Sequence, residues 1–161
     1  MSQLSHFDES GASRMVDISA KASTARVAVA SGVIIMAPTT LEMIQLRQFS
    51  KGDVCEVARL AGIMAAKQTS QIIPLCHPIL LSGITVDFEV ELPDRLKILA
   101  TVKTSGQTGV EMEALTAVSA AGLTVYDMCK SVDRSMVISQ IQLETKTGGK
   151  SGDYHRDTEQ K

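Results

Sequence analysis

From Ile84 to Leu92 the chain alternates without a fault: Ile84, Val86, Phe88, Val90 and Leu92 are apolar, and Thr85, Asp87, Glu89 and Glu91 between them are polar. A period of two sends successive side chains to opposite faces of a strand, so one face must lie on a core and the other in water. Pro93-Asp94 supplies turn residues, and Leu96, Ile98, Ala100 and Val102 repeat the period on the return. These two runs predict an antiparallel hairpin. A two-stranded hairpin is at best marginal alone in water, so another element must cover its dry face. The best candidate is the stretch from Ala114 to Tyr126, which carries no charged residue. Thr108 with Glu111 reads as the start of that helix, which is expected to end near Val132.

The other elements are shorter. Arg26 to Met36 is rich in β-branched residues around Ser31-Gly32 and reads as two short strands meeting at a turn or bulge, with Pro38 ending the segment. Thr39 with Glu42 fits a capping box for a helix from Thr40 to about Arg47. Asp53 with Glu56 starts another, running to about Ser70 with Val54, Val57, Leu60, Ala61, Met64 and Ala65 as its apolar stripe. The small residues Ala58, Ala61, Gly62, Ala65 and Ala66 predict that this helix packs closely on a neighbour. Met136 to Thr145 reads as a last strand with Val137, Ile141 and Leu143 on one face. The order of elements is the split βαβ pattern of a ferredoxin-like α+β sandwich, an antiparallel sheet with helices on one face and an N-terminal extension. Residues 15–150 make one domain, and the polar stretches 1–14 and 151–161 are expected to be mobile tails.

Composition narrows the function. A chain of 161 residues, 44% hydrophobic, builds one core. Sixteen basic against eighteen acidic side chains, with three Phe, two Tyr and no Trp, provide neither a polyanion-binding surface nor stacking platforms, so nucleic acid is not the expected partner. The wet face of the hairpin, with Asp87, Glu89, Glu91, Lys97 and Lys103, argues against an RNA-binding module in the same way. No apolar run approaches the roughly 18 residues of a membrane span, and Met1 to Arg14 lacks the form of a secretory signal. Cys55, Cys76 and Cys129 include no CxxC pair and read as reduced thiols. A cytoplasmic protein is expected.

Three regions could carry chemistry. Leu75-Cys76-His77 is held between Pro74 and Pro78, which makes the loop stiff and extended. Adjacent side chains then point to opposite sides, so Cys76 and His77 are not expected to share one small site or one metal, and His77 is either a loop imidazole held by a carbonyl or a substrate or acid–base group. On the long helix, Glu113 and Asp127 lie on one side but about 21 Å apart along the axis, too far to converge on one atom. They mark two ends of a large ligand or two sites, and a site completed by a neighbouring subunit fits that separation. Asp127 and Lys130, one turn apart, are either a surface pair or, with the lysine partly buried, a proton-handling pair. Lys51 precedes a helix N-terminus in a Ser-Lys-Gly loop suited to an anion. Lys146-Thr147-Gly148-Gly149-Lys150-Ser151-Gly152 adds lysines in a glycine-rich stretch that could cradle phosphate. It is not a Walker loop, because Glu144 stands where the first glycine is required.

Four motifs in order, Pro74-Leu75-Cys76-His77-Pro78, the run from Thr108 to Thr116, Tyr126-Asp127-Met128-Cys129-Lys130 and Gly148-Gly149-Lys150-Ser151-Gly152, together with Lys51-Gly52-Asp53-Val54, closely resemble the cyclic pyranopterin monophosphate synthase family of molybdenum cofactor biosynthesis. The resemblance runs from Met15 through Gly152. It implies a phosphorus–oxygen lyase that turns a 3′,8-cyclised dihydroguanosine triphosphate into cyclic pyranopterin monophosphate and pyrophosphate. It also implies a homohexamer, a trimer of dimers with sites at subunit boundaries. Carried over by motif, Asp127, Lys51 and Lys130 would be catalytic. Leu75, Cys76, His77, Met112 and Glu113 would bind substrate, with Arg26 and Lys146 on the triphosphate. No metal ligand set and no tightly bound cofactor are expected, although Mg2+ on the substrate phosphates is compatible with the chemistry. The rival reading is a nucleotide-sensing module of the same fold that binds without turnover.

Overall fold

A computed structural model of the protein describes residues 10–157. The elements are β1 (Thr24–Ile35), α1 (Pro38–Gln45), α2 (Val54–Lys67), α3 (Thr69–Ile72), β2 (Leu81–Glu91), β3 (Arg95–Gly106), α4 (Glu111–Cys129), β4 (Val137–Thr147) and β5 (Tyr154–His155). The strands form one sheet in the order β2-β3-β1-β4-β5, and every neighbouring pair is antiparallel. This is the ferredoxin-like α+β arrangement with one edge strand added. Among the described residues no helix is long and apolar enough to cross a membrane.

The hairpin forms as its alternation requires. Val86, Leu96, Ile98, Ala100 and Val102 are each at most 1% exposed, and α4 covers β1, β3 and β4 while α2 covers β2. Burying the uncharged middle of α4 removes Val118 and Val125 from water, each worth roughly 1.5–3 kcal/mol of transfer free energy. Close approach needs small residues: a Cβ on Gly32 of β1 would stand 2.6 Å from Val118 Cγ1, and one on Gly62 of α2 would stand 2.9 Å from the Ala117 carbonyl oxygen.

Several local expectations need correction. Arg26 to Met36 does not divide; β1 is one strand of 12 residues. The irregularities lie across from it, because Val33 pairs with Ser139, Ser31 with Gln142, Ala30 with Leu143 and Val29 with Thr145, leaving β4 two residues longer than the matching stretch of β1. Gln140 has φ of 52° there. The bulges change the phase of β4, so Met136, Ile138 and Leu143 pack on the core while Val137 and Ile141 are exposed.

The inward face of α2 is Val54, Ala58, Gly62 and Ala66, whereas Val57, Leu60 and Met64 of the expected stripe are exposed. Small side chains won because the helix sits against α4 at backbone distance. Thr39 does not cap α1. That helix begins at Pro38, and the buried Asp133 accepts from Ala37 N–H at 2.8 Å and from the Thr40 hydroxyl at 3.2 Å, replacing a local cap by a distant carboxylate. Thr108 does not cap α4 either; Val110 holds the cap position with no side-chain bond. Asp53, by contrast, caps α2 by accepting from the amides of Cys55 and Glu56.

The two expected tails divide differently. Residues 1–9 and 158–161 lie outside the described residues. Within 151–161, Tyr154 and His155 pair with Lys146 and Thr145 as β5, so this part is a strand at the sheet edge.

Candidate active site

The site residues fall into two groups at opposite ends of α4. At its N-terminal end the first-turn side chain Glu113 is 4% exposed and faces a cleft of about 310 Å³. Burial pushes its carboxyl up to about 7, with the neighbouring Glu111 charge adding to the shift. Leu75, Cys76, His77 and Met112 line the same cleft. The loop carrying Cys76 and His77 is not extended, because Cys76 N–H donates to the Ile73 carbonyl at 3.1 Å and curls it into a turn. Both side chains therefore border one cavity, against the sequence expectation. Burial, followed by the Glu113 charge, raises the Cys76 thiol above its ordinary value.

His77 holds a carbonyl. Its Nε2 lies 2.7 Å from the Val16 oxygen, and since a carbonyl only accepts, Nε2 carries the proton. That bond fastens the segment preceding β1 across the cleft. Within this segment Lys21 N–H donates to the Ile18 carbonyl, and Gln107 Nε2 donates to the carbonyls of Ser19 and Lys21 at 3.3 and 2.9 Å. Lys21 is thereby placed on the cleft wall. No periodicity or motif marked Lys21 in the sequence; its position depends on bonds to His77 and Gln107, which lie far along the chain.

A second cavity of about 630 Å³ shares Lys21, Thr108, Gly109 and Glu111 with the first and continues to Arg26, Gly149, Lys150 and Ser151. Arg26 is held in place by donating from Nε to the Gly106 carbonyl at 3.0 Å and from Nη2 to the Gln107 carbonyl at 3.3 Å. Lys146 Nζ stands behind this wall, 3.5 Å from Glu111 Oε1 and 2.8 Å from Ser151 Oγ. The two adjoining cavities thus run from a buried carboxyl at one end, past Lys21 where they meet, to Arg26 and Lys150 at the other.

Lys51, Asp127 and Lys130 meet at the other end of α4. Lys130 Nζ donates to Asp127 Oδ1 at 2.6 Å, and Lys51 Nζ donates to the Asp127 carbonyl at 3.1 Å and lies 3.8 Å from Oδ2. The Lys130 bond and charge, then the Lys51 charge, hold the Asp127 carboxyl below its ordinary range. Of the two alternatives for Asp127 and Lys130, the exposed pair is the one found, since Lys130 is exposed at the helix end. One chain therefore brings the three proposed catalytic residues together and the proposed substrate-binding residues together, but not the two groups with each other.

The family model for the MoaC family matches residues 15–149. The chain belongs to the MoaC family. Among curated MoaC relatives, the cyclic pyranopterin monophosphate synthase of Desulforamulus reducens is 57% identical over 159 residues, covering 99% of this chain and 97% of its own length. The protein of that name from Desulfitobacterium hafniense is 58% identical over 155 residues, covering 96% of this chain and 95% of its own. Cyclic pyranopterin monophosphate synthase 1 of Mycobacterium bovis is 61% identical over 153 residues, covering 95% and 90%. The matched MoaC region includes Glu113, His77, Lys51, Asp127 and Lys130 and stops between Gly149 and Lys150.

Proposed function

We propose that the protein is a cyclic pyranopterin monophosphate synthase, a lyase converting (8S)-3′,8-cyclo-7,8-dihydroguanosine 5′-triphosphate to cyclic pyranopterin monophosphate and pyrophosphate. The observation that carries the reading is the pair of adjoining cavities with Glu113 at one end, Lys21 where they meet, and Arg26 and Lys150 at the other. A carboxylate accepts hydrogen bonds from a guanine-like N–H edge, and the cations match a triphosphate. The curated relatives carry an enzyme's name, which favours turnover over a nucleotide-sensing module.

In this reading Leu75, Cys76, His77, Met112 and Glu113 hold the purine-derived end, and Arg26 and Lys146 serve the triphosphate. A ribose-derived hydroxyl oxygen bonds to the α-phosphorus, the bond from that phosphorus to the pyrophosphate oxygen breaks, and the hydroxyl proton passes to the Lys51–Asp127–Lys130 cluster, where the Asp127 carboxylate can accept it. Lys51 and Lys130, ordered around Asp127, supply that proton transfer and neutralise charge on the leaving group. Because Glu113 and Asp127 are about 21 Å apart along α4, a neighbouring subunit brings its Lys51, Asp127 and Lys130 to the cleft, as in a hexamer built from dimers. No tightly bound cofactor takes part, and any Mg2+ arrives on the substrate phosphates. The reaction belongs to the cytoplasm.

The test is to incubate purified protein with the cyclised intermediate and follow pyrophosphate and pterin product, wild type beside Asp127→Ala. Release of both by wild type alone is expected. Binding without pyrophosphate release would overturn the lyase reading in favour of a sensor.

A further inference from the structure

The loop joining β4 to β5 carries Lys150 and Ser151 to the cationic end of the cleft, and it is built to be placed accurately. Gly148, Gly149 and Gly152 have φ of 87°, 86° and 72°, conformations that cost a side-chain-bearing residue and leave glycine with much freedom to lose on ordering. The backbone is pressed onto β1: a Cβ on Gly148 would collide with the Ala25 carbonyl, and one on Gly149 with the Arg26 guanidinium. Residues outside the cleft hold it there. Gly148 N–H donates to Asp153 Oδ1 at 3.0 Å, closing the loop across its mouth. Behind Asp153, β5 pairs with β4, and Arg156 donates from its backbone N–H to the Glu144 carbonyl at 2.8 Å and from Nε to the Leu143 carbonyl at 2.9 Å.

We propose that Asp153 is a positioning residue for the reaction: as acceptor for Gly148 N–H, backed by the β5 strap, it fixes the glycine loop so that Lys150 and Ser151 meet the phosphate end of the substrate. This rests on the functional reading above. Asp153 is exposed, so its role is to spare the substrate the cost of ordering three glycines.

The experiment compares wild type, Asp153→Ala and Asp153→Asn, the last keeping an Oδ1 acceptor without the charge. The loss of one ordering hydrogen bond predicts that Asp153→Ala raises KM about fivefold, with kcat and Tm unchanged. Its Kd for inorganic tripolyphosphate, measured by calorimetry, should rise by the same factor. Asp153→Asn should match wild type in both. Wild-type KM and tripolyphosphate affinity in Asp153→Ala, tighter binding in Asp153→Ala, or an Asp153→Asn no better than Asp153→Ala would each overturn the proposal. Should wild type release no pyrophosphate, the functional reading fails, and the tripolyphosphate comparison still decides the role of Asp153.

Discussion

Glu113 and Asp127 project from the same side of α4 at its two ends, and the fold gives them opposite surroundings. Glu113 is 4% exposed and its carboxyl is pushed up by burial, while the side chain of Asp127 is 62% exposed and its carboxyl is held down by Lys130 and Lys51. Environments that drive two carboxyls apart are a common way to divide roles between them.

The ionisation of Glu113 should therefore be visible near neutrality. If its carboxylate accepts from the substrate, kcat/KM of wild type rises through pH about 7, and the residual activity of Glu113→Gln lacks that rise. Stability runs the other way. The raised carboxyl favours the folded state below its ordinary value of 4.5, and that contribution is lost as pH climbs to about 7. Urea unfolding at pH 5 and pH 8 should show Glu113→Gln gaining on wild type at the higher pH.

Lys51→Ala and Lys130→Ala should each lower kcat by about 100-fold or more, the range for removing a proton-transfer group. Both side chains are about half exposed, so Tm should hold. Near-normal turnover by both folded variants would remove the lysines from the mechanism.

A site shared between subunits can be tested by mixing. Glu113→Ala and Asp127→Ala proteins, each inactive alone, should recover activity after dissociation and reassociation together, because roughly a quarter of boundary sites would then draw both native residues from different chains. No recovery in verified mixed oligomers would place the whole site within one chain.

Gly62→Ala should destabilise the fold despite alanine's higher helix propensity. The added Cβ would meet the Ala117 carbonyl at 2.9 Å, a backbone atom that moves only with α4, and overpacking of this kind costs about 1–3 kcal/mol. A fall in the urea midpoint at unchanged m-value is the expected result.

How far the sequence could be read depended on whether a signal was local. The hairpin was legible because its period spans both strands, and Asp53 was legible as a cap because its partners, the amides of Cys55 and Glu56, are two and three residues away. The start of α1 was not, since Asp133 supplies its acceptor from 96 positions on. The α2 face was misread for a related reason: hydrophobicity ranks Leu60 and Met64 above Ala58 and Gly62, but contact at backbone distance selects size. In the site, the motif residues Lys51, Asp127 and Lys130 meet from two short segments. Lys21 stayed invisible because only its tertiary neighbours place it.

The paired irregularities of β4 behave like a frameshift and its reversion. The first moves Leu143 to the helix side, and the second returns the strand to its original phase, so that Lys146 stands opposite the inward-facing Ala28. Loss of one residue between Ser139 and Thr145 would therefore close one irregularity and still leave Lys146 opposite Ala28. Loss of two would close both and make the ladder regular with Lys146 in its present place. Along this strand, two residues of length are held outside the register.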